Sequence, residues 1–276
     1  MQKHLLILSP RETDFAFLKS ALPALTPESA FSAHALIAED LAPSILALAR
    51  HNGCDAAVFA SRPRWQDYKV LMMDMDCTSI ENETLDEMAD LAGLGAAVKA
   101  VTDRAMLGQI DFQESLRARM ALFAGLPQTL FTEVIEKRLR VRAGLLHWLN
   151  ACHAQGLSAH LVSGGFTPVV EHFVRTLGFD SGAANNAAVK AGLFTGELTG
   201  EIVDADFKAN YTLRCAAQRL AMPGQVIAIG DGANDSKMLR LAGLAIGMRP
   251  KPILAEHCDI CLYHTDYRHL PLLFTP

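Results

Sequence analysis

The pattern that most limits how this chain can fold is a set of four short apolar runs. Residues 69–73, 158–162, 226–229 and 244–246 are each closed by Asp, Ser or Gly and each followed by a helical pattern. Runs this short that alternate with helical segments read as parallel strands joined by crossover helices. The expected fold class is therefore α/β, a doubly wound parallel sheet. Ligands of such sheets bind beyond the carboxyl ends of the strands. Three strand ends are then expected to converge: Asp74 and Asp76 after the first run, Ser163, Gly164 and Gly165 after the second, and Asp231 to Asp235 after the third.

One interval is too long for a simple crossover. Residues 77–162 separate the first strand from the second, far more than a βαβ unit needs. Helical patterns lie at 84–91, 111–123 and 129–139, the second opened by an Asp111-x-x-Glu114 capping signature. This predicts an inserted helical cap over about residues 83–142, covering the strand ends. A glycine-flanked alternation at 189–198 reads as a hairpin. Upstream, apolar stretches at 4–8, 33–38 and 55–60 with helix-like segments at 14–22 and 41–49 read as a small N-terminal α/β unit. The polar, proline-containing stretch 61–67 is the expected boundary between domains at 1–66 and 67–276.

Composition removes several classes of function. With 25 basic and 30 acidic residues the formal charge is -5, which gives no broad attraction to nucleic acid or to an anionic membrane. No run approaches the roughly 18 apolar residues of a membrane span, and the apolar stretch at 4–8 is too short for a signal-peptide core, so a cytoplasmic protein with a small-molecule substrate is expected. The six cysteines do not form a disulfide framework. Cys258 and Cys261 are expected on a buried or half-buried strand.

The chemistry lies at the strand ends. Asp74 and Asp76, two residues apart, project to one side of an extended chain. By itself this spacing also fits a pair of solvated loop aspartates. A carboxylate is a serviceable nucleophile toward phosphorus once a divalent cation cancels the phosphate charge, and a second carboxylate can carry the proton. Asp231 would complete a hard-cation site with Asp74, of the kind that suits Mg²⁺. Asn234 and Asp235 stand where a helix cap would also place them. Ser163 and Gly164 offer a hydroxyl and backbone N–H groups before a helix N-terminus, which suits an anion but is also an ordinary turn. Lys208 is a point charge for phosphate or a solvated lysine.

DMDCTSI at 74–80, VSGGF at 162–166, a lone Lys208 and GDGANDSKMLRLAGL at 230–244 stand in the order seen in the haloacid dehalogenase-like phosphatases, and the chain resembles that superfamily over most of residues 68–266. ENETLDEMADLAG at 81–93 and MLGQIDFQESLRARM at 106–120 make it similar, more closely, to the phosphoserine phosphatase family. The resemblance implies a Rossmann-like haloacid dehalogenase core. It also implies Mg²⁺-dependent hydrolysis of O-phosphoserine to serine through an aspartyl-phosphate, the last step of serine biosynthesis. Asp74 then matches the nucleophile and a Mg²⁺ ligand, and Asp76 the acid/base residue whose backbone carbonyl also ligates. Asp231 matches the remaining carboxylate ligand, with Asp235 supporting it. Ser163, Gly164, Lys208 and Asn234 match phosphate-side positions. Glu83 and Arg119 match the holders of substrate ammonium and carboxylate, and Met106 and Phe112 apolar cap positions that exclude water. Without the resemblance, Glu83 could simply open a helix and Arg117 and Arg119 could form a solvated face. The N-terminal unit looks like the small amino-acid-binding, ACT-like regulatory domains attached to some family members. A homodimer is compatible with this reading. The alternatives are a related small-molecule phosphatase, a phosphotransferase of the same superfamily, and a silent ligand sensor.

Overall fold

The computed structural model describes residues 3–10, 28–30, 33–38 and 44–275. Strands β1 (Lys3–Leu8), β2 (Glu28–Ala30), β3 (Ala33–Ala38) and β4 (Asp55–Phe59) form a sheet of order β2-β3-β1-β4, with β1 antiparallel to β3 and β4. The alternation of β1 divides its side chains between two cores. Leu5 and Ile7 meet Ile45 and Ala49 of helix α1 (Ser44–His51), whereas Leu6 and Leu8 join the main core of the molecule. The helix expected at 14–22 lies outside the described residues. On β4, the buried Asp55 carboxylate accepts from the main-chain N–H groups of Tyr263, His264 and Thr265 and from the Thr265 hydroxyl, which ties this sheet to the C-terminal segment. The stretch between the two sheets is likewise pinned, since Arg62 donates to the carbonyls of Leu272 and Leu273 and Trp65 stacks on Phe274 at 4.1 Å.

The larger sheet contains β5 (Val70–Met73), β6 (Ser158–Phe166), β7 (Ser181–Lys190), β8 (Leu193–Thr199), β9 (Val226–Gly230), β10 (Leu244–Met248) and β11 (Ile260–Leu262). Their order is β11-β10-β9-β5-β6-β7-β8. Every pair is parallel except the β7/β8 hairpin. All residues of β5, β9 and β10 are buried, as strands covered on both faces must be. β5 lies between β6 and β9, so the chain order reverses across it and the crevice at its carboxyl end is the topological switch point.

Between β5 and β6 run helices α2 (Thr84–Leu91), α3 (Gly95–Met106), α4 (Phe112–Ala121), α5 (Leu130–Lys137) and α6 (Leu145–Ala154). α4 opens with the expected capping box: Asp111 accepts from the Glu114 N–H at 2.8 Å, and Glu114 accepts from the Asp111 N–H at 3.0 Å. α3 was not expected. Only its Val98 is buried, and the rest of its inward face, Val101, Thr102 and Ala105, is half-buried and partly polar, so its apolar stripe is weak. The β7/β8 hairpin braces the insertion, with Phe194 edge-on to Phe123 and Phe131. Gly196 (φ 89°) lets the hairpin backbone approach the end of α4, because a Cβ there would lie 3.3 Å from the Ala121 backbone. The remaining helices are α7 (Thr167–Leu177), α8 (Ala205–Gln218), α9 (Ser236–Leu241) and α10 (Pro252–Ala255). Cys261 lies on β11, but Cys258 is in the turn before it; their thiols donate to the carbonyls of Ala255 and Leu254. No helix among the described residues is long and apolar enough to cross a membrane.

Candidate active site

The backbone of β5 stays paired one residue beyond the strand, the Asp74 N–H donating to Ile229 O at 2.9 Å. Asp74 is extended, and Met75 turns its side chain into the core, so Asp74 and Asp76 emerge on the other side. The chain then turns sharply through Cys77 in a left-handed conformation (φ 54°). Such a conformation in a non-glycine residue persists only where neighbours fix it. Here Arg142 donates to Cys77 O at 2.7 Å and to Thr78 O at 3.1 Å, and Tyr267 donates to Thr78 O at 3.0 Å. The Ser79 hydroxyl holds Asp74 O at 2.6 Å.

The two carboxylates are held by different partners. Asp76 accepts from Thr84, through both its N–H (2.9 Å) and its hydroxyl, and from Ser163 Oγ at 3.2 Å. Burial raises its pKa against the pull of these donors. Asp74 instead accepts from Lys208 Nζ at 2.5 Å, and Lys208 also donates to Asp235 at 2.6 Å. Lys208 comes from the first turn of α8, which is N-capped by Asp204. It is fully buried; burial alone would lower its pKa, but Asp235 and Asp74 raise it and hold the ammonium protonated. The second oxygen of Asp235 accepts from the N–H groups of Asp231 and Gly232, both at 3.1 Å. Asp235 therefore spends both oxygens bracing its neighbours. The flanking Gly230 is required there, since a Cβ would meet the Asp235 carboxyl at 2.6 Å.

Asp74, Asp231 and Asp235 bring carboxylate oxygens within 4.8 Å of one another, and all three residues are buried. Burial and the neighbouring Asp235 raise the pKa of Asp74, and burial also raises that of Asp231. Three buried carboxylates against one buried lysine form an oxygen donor set with excess negative charge, which suits a hard divalent cation.

At the second strand end, Ser163 Oγ accepts from the Gly165 N–H at 2.8 Å while donating to Asp76. Asn185 holds the carbonyls of Gly164 and Gly165 and accepts from the Val203 N–H. Gly165 has no room for a side chain, because a Cβ would stand 2.9 Å from Asp76 Oδ2. β6 runs through Ser163-Gly164-Gly165 to Phe166, four residues past its expected end, with a register shift in its pairing to β7.

The insertion closes over these strand ends around a cavity of about 420 Å³. Asp74, Asp76, Asp231, Gly164 and Asn234 line its floor, and Glu83, Phe112 and Arg119 line its walls. Ser163, Lys208 and Asp235 lie beneath the floor, each bonded to a residue on it. Glu83 precedes α2 but makes no capping hydrogen bond with its side chain. Burial and then Asp76 push its pKa up to about 7. Arg119 is half-buried, donates to Ser115 O at 3.4 Å and pairs with no carboxylate within ion-pair distance among the described residues, whereas Arg117 is solvent-exposed. Burial lowers the Arg119 pKa, and Asp86 opposes this. Phe112 lies over Gly164, its ring 3.3 Å from the position of a Cβ there. Met106 differs from expectation. It touches the cavity but is 82% exposed, because α3 ends at the mouth, so it excludes no water in this conformation.

Several participants were not foreseen. Arg142, Tyr267 and Asn185 act on backbone carbonyls across long sequence separations, and no local pattern marks them, while Thr84 holds Asp76 from eight residues on, at the start of α2. Lys251, which lines the cavity beside Asp231, had a usable signal: it follows the fourth apolar run and stands between two prolines.

Residues 71–240 match the family described as haloacid dehalogenase-like hydrolase. The chain belongs to that family. Within it, the chain is 40% identical over 201 residues to the phosphoserine phosphatase of Lactococcus lactis, covering 73% of this chain and 91% of the relative. A solved structure of a probable phosphoserine phosphatase from Vibrio cholerae superposes with a TM-score of 0.84 at 26% identity, covering 98% of this chain and 85% of the other. A phospho-aspartyl intermediate analogue of phosphoserine phosphatase gives a TM-score of 0.70 at 35% identity, covering 75% of this chain and 99% of the other.

Proposed function

We infer that the chain is a phosphoserine phosphatase, hydrolysing O-phosphoserine to serine and phosphate with Mg²⁺. The observation that carries this is one cavity lined by Asp76, by Asp74 and Asp231 of the buried acidic cluster, and by two groups of opposite charge, Glu83 and Arg119. An α-amino acid phosphate presents a phosphoryl group, an ammonium and a carboxylate, and each finds a complementary group.

Asp74 attacks phosphorus while Asp76, protonated, delivers its proton to the departing serine oxygen. An aspartyl-phosphate forms and the phosphorus–serine oxygen bond breaks. The raised pKa of Asp76 favours the proton-bearing form that this step needs. Ionised Asp76 then takes a proton from the water that cleaves the acyl phosphate, which releases phosphate and regenerates Asp74. Asp74, Asp231 and the Asp76 carbonyl, with Asp235 behind them, would hold Mg²⁺, which would supply charge neutralisation at the phosphoryl oxygens. Lys208 spends two of its three donors on Asp74 and Asp235 and keeps one for a phosphoryl oxygen. The Gly164 backbone and Asn234 complete the phosphate side, with Ser163 fixing Asp76 and the Gly165 turn from below. The same reading takes residues 1–66 as a small domain with its own sheet, packed on the rest of the chain through Leu6, Leu8 and Ala57, and residues 83–142 as the cap.

The test is phosphate release by the purified chain from O-phosphoserine and from a panel of other small phosphomonoesters, with and without Mg²⁺. O-phosphoserine is expected to be the preferred substrate, and equal or faster turnover of sugar phosphates sinks the assignment. Trials with added serine or homoserine as acceptor separate hydrolysis from phosphotransfer.

Glu83 gives the reaction a pH signature. With its pKa near 7, Glu83 loses its charge as the pH falls through that value, so the KM for phosphoserine rises on the acid side. Glu83→Gln should raise KM by roughly tenfold or more at alkaline pH and flatten the acid rise. A wild-type KM that stays constant between about pH 6 and 8 contradicts the ammonium-holding role.

A further inference from the structure

Lys251 brings a fourth strand end to the site. β10 closes at Met248, and the chain continues through Arg249-Pro250-Lys251-Pro252 into α10. Pro252 keeps the residue before it out of the helical region, and Lys251 is extended (φ -62°, ψ 150°). Its main-chain N–H donates to Asp231 O at 2.8 Å, and its ammonium stands 3.3 Å from Asp231 Oδ2. That ammonium lies over Gly232, where a Cβ would be 3.7 Å away. Backbone and side chain of Lys251 thus address the same residue. The buried Lys208 pairs with Asp74 and Asp235, so the three acids of the cluster are divided between two lysines, and Asp231 belongs to the outer one. The two lysines are not equivalent: the Lys208 side chain is enclosed, whereas that of Lys251 is 59% exposed and can exchange its partner for water.

We propose that Lys251 is a positioning residue that competes with the divalent cation for Asp231 and so sets how tightly the site holds that cation. This rests on the reading of Asp231 as a metal ligand. A monovalent ammonium and a divalent ion cannot approach one carboxylate together without mutual repulsion, so each cation bound must displace the lysine head. The rigid Pro-Lys-Pro backbone keeps that head within reach for return, so Asp231 stays aimed and charge-compensated between turnovers.

Mg²⁺ binding measured calorimetrically without substrate, on wild type, Lys251→Met and Lys251→Arg, tests this. Lys251→Met should bind Mg²⁺ more tightly, by roughly fivefold or more, with a matching fall in the Mg²⁺ concentration giving half-maximal thermal stabilisation. Lys251→Arg, which keeps the charge, should stay close to wild type. Wild type that binds Mg²⁺ together with a Lys251→Met variant that binds it equally or more weakly overturns the competition alone. Wild type that binds no Mg²⁺ overturns the metal reading, and the competition with it.

Discussion

Asp74→Asn is expected to lower phosphoserine turnover by about 10⁴-fold or more while leaving the fold intact. The amide keeps the size of the carboxyl but has no nucleophilic oxygen to offer phosphorus, and no other residue is placed to replace it. Asp76 is bound by Thr84 and Ser163 instead. Stability should hold for a separate reason. The Asp74 pKa is raised in the folded chain, so whatever stability this group contributes is fully present below its unfolded pKa and is lost as the pH rises through the folded value. Above that folded value its charge is a burden on the fold, and a neutral amide relieves the crowding with Asp235. Turnover measured beside a melting curve checks both halves. Loss of activity accompanied by a large fall in Tm would turn the residue from a reactive group into a structural one.

Lys208→Met has the opposite profile, because here the fold itself depends on the charge. The ammonium is fully buried between Asp74 and Asp235, and its removal leaves two buried carboxylates facing each other without a cation from the protein. Breaking a buried pair in this way costs about 3–5 kcal/mol, which in a chain of this size lowers Tm by roughly 10 °C. Turnover should fall by about 100-fold or more, since a charge aimed at the phosphoryl group is also lost. Pairing Lys208→Met with Asp235→Asn should recover part of the stability and none of the turnover. A Lys208→Met variant that melts like wild type contradicts the electrostatic description of the cluster.

What could be read in advance follows from the range of the interactions. The strand ends were legible because each apolar run stops at a polar residue, and once the runs are aligned in parallel their ends must share one edge. Asp74, Ser163 and Asp231 came from that argument. Helix α4 was legible from Asp111 and Glu114, which act within one turn. Helix α3 was not, because Val98 is its one buried residue and the rest of its inward face is half-buried and partly polar. The partners of Lys208 lie 134 and 27 residues away, so the sequence supplied a lysine near a helix start but not the burial that fixes its charge. Arg142 and Tyr267 brace the loop after Asp76 through carbonyls, which leave no trace in side-chain patterns. Met106 was placed over the site by resemblance, and its exposure reflects where α3 stops, a property of helix packing. Lys251 lies five residues beyond the end of the fourth apolar run, past Arg249 and Pro250, so the run itself does not mark it.

An aspartyl-phosphate at Asp74 can be trapped chemically. Wild type mixed with O-phosphoserine and Mg²⁺, quenched and reduced with borohydride, should yield homoserine at position 74 on peptide mass spectrometry, because hydride reduces an acyl phosphate to the alcohol. Asp76 should be unchanged, and omission of substrate should leave Asp74 unchanged as well. Conversion at any other carboxylate, or sustained phosphate release with no conversion at position 74, would contradict the account.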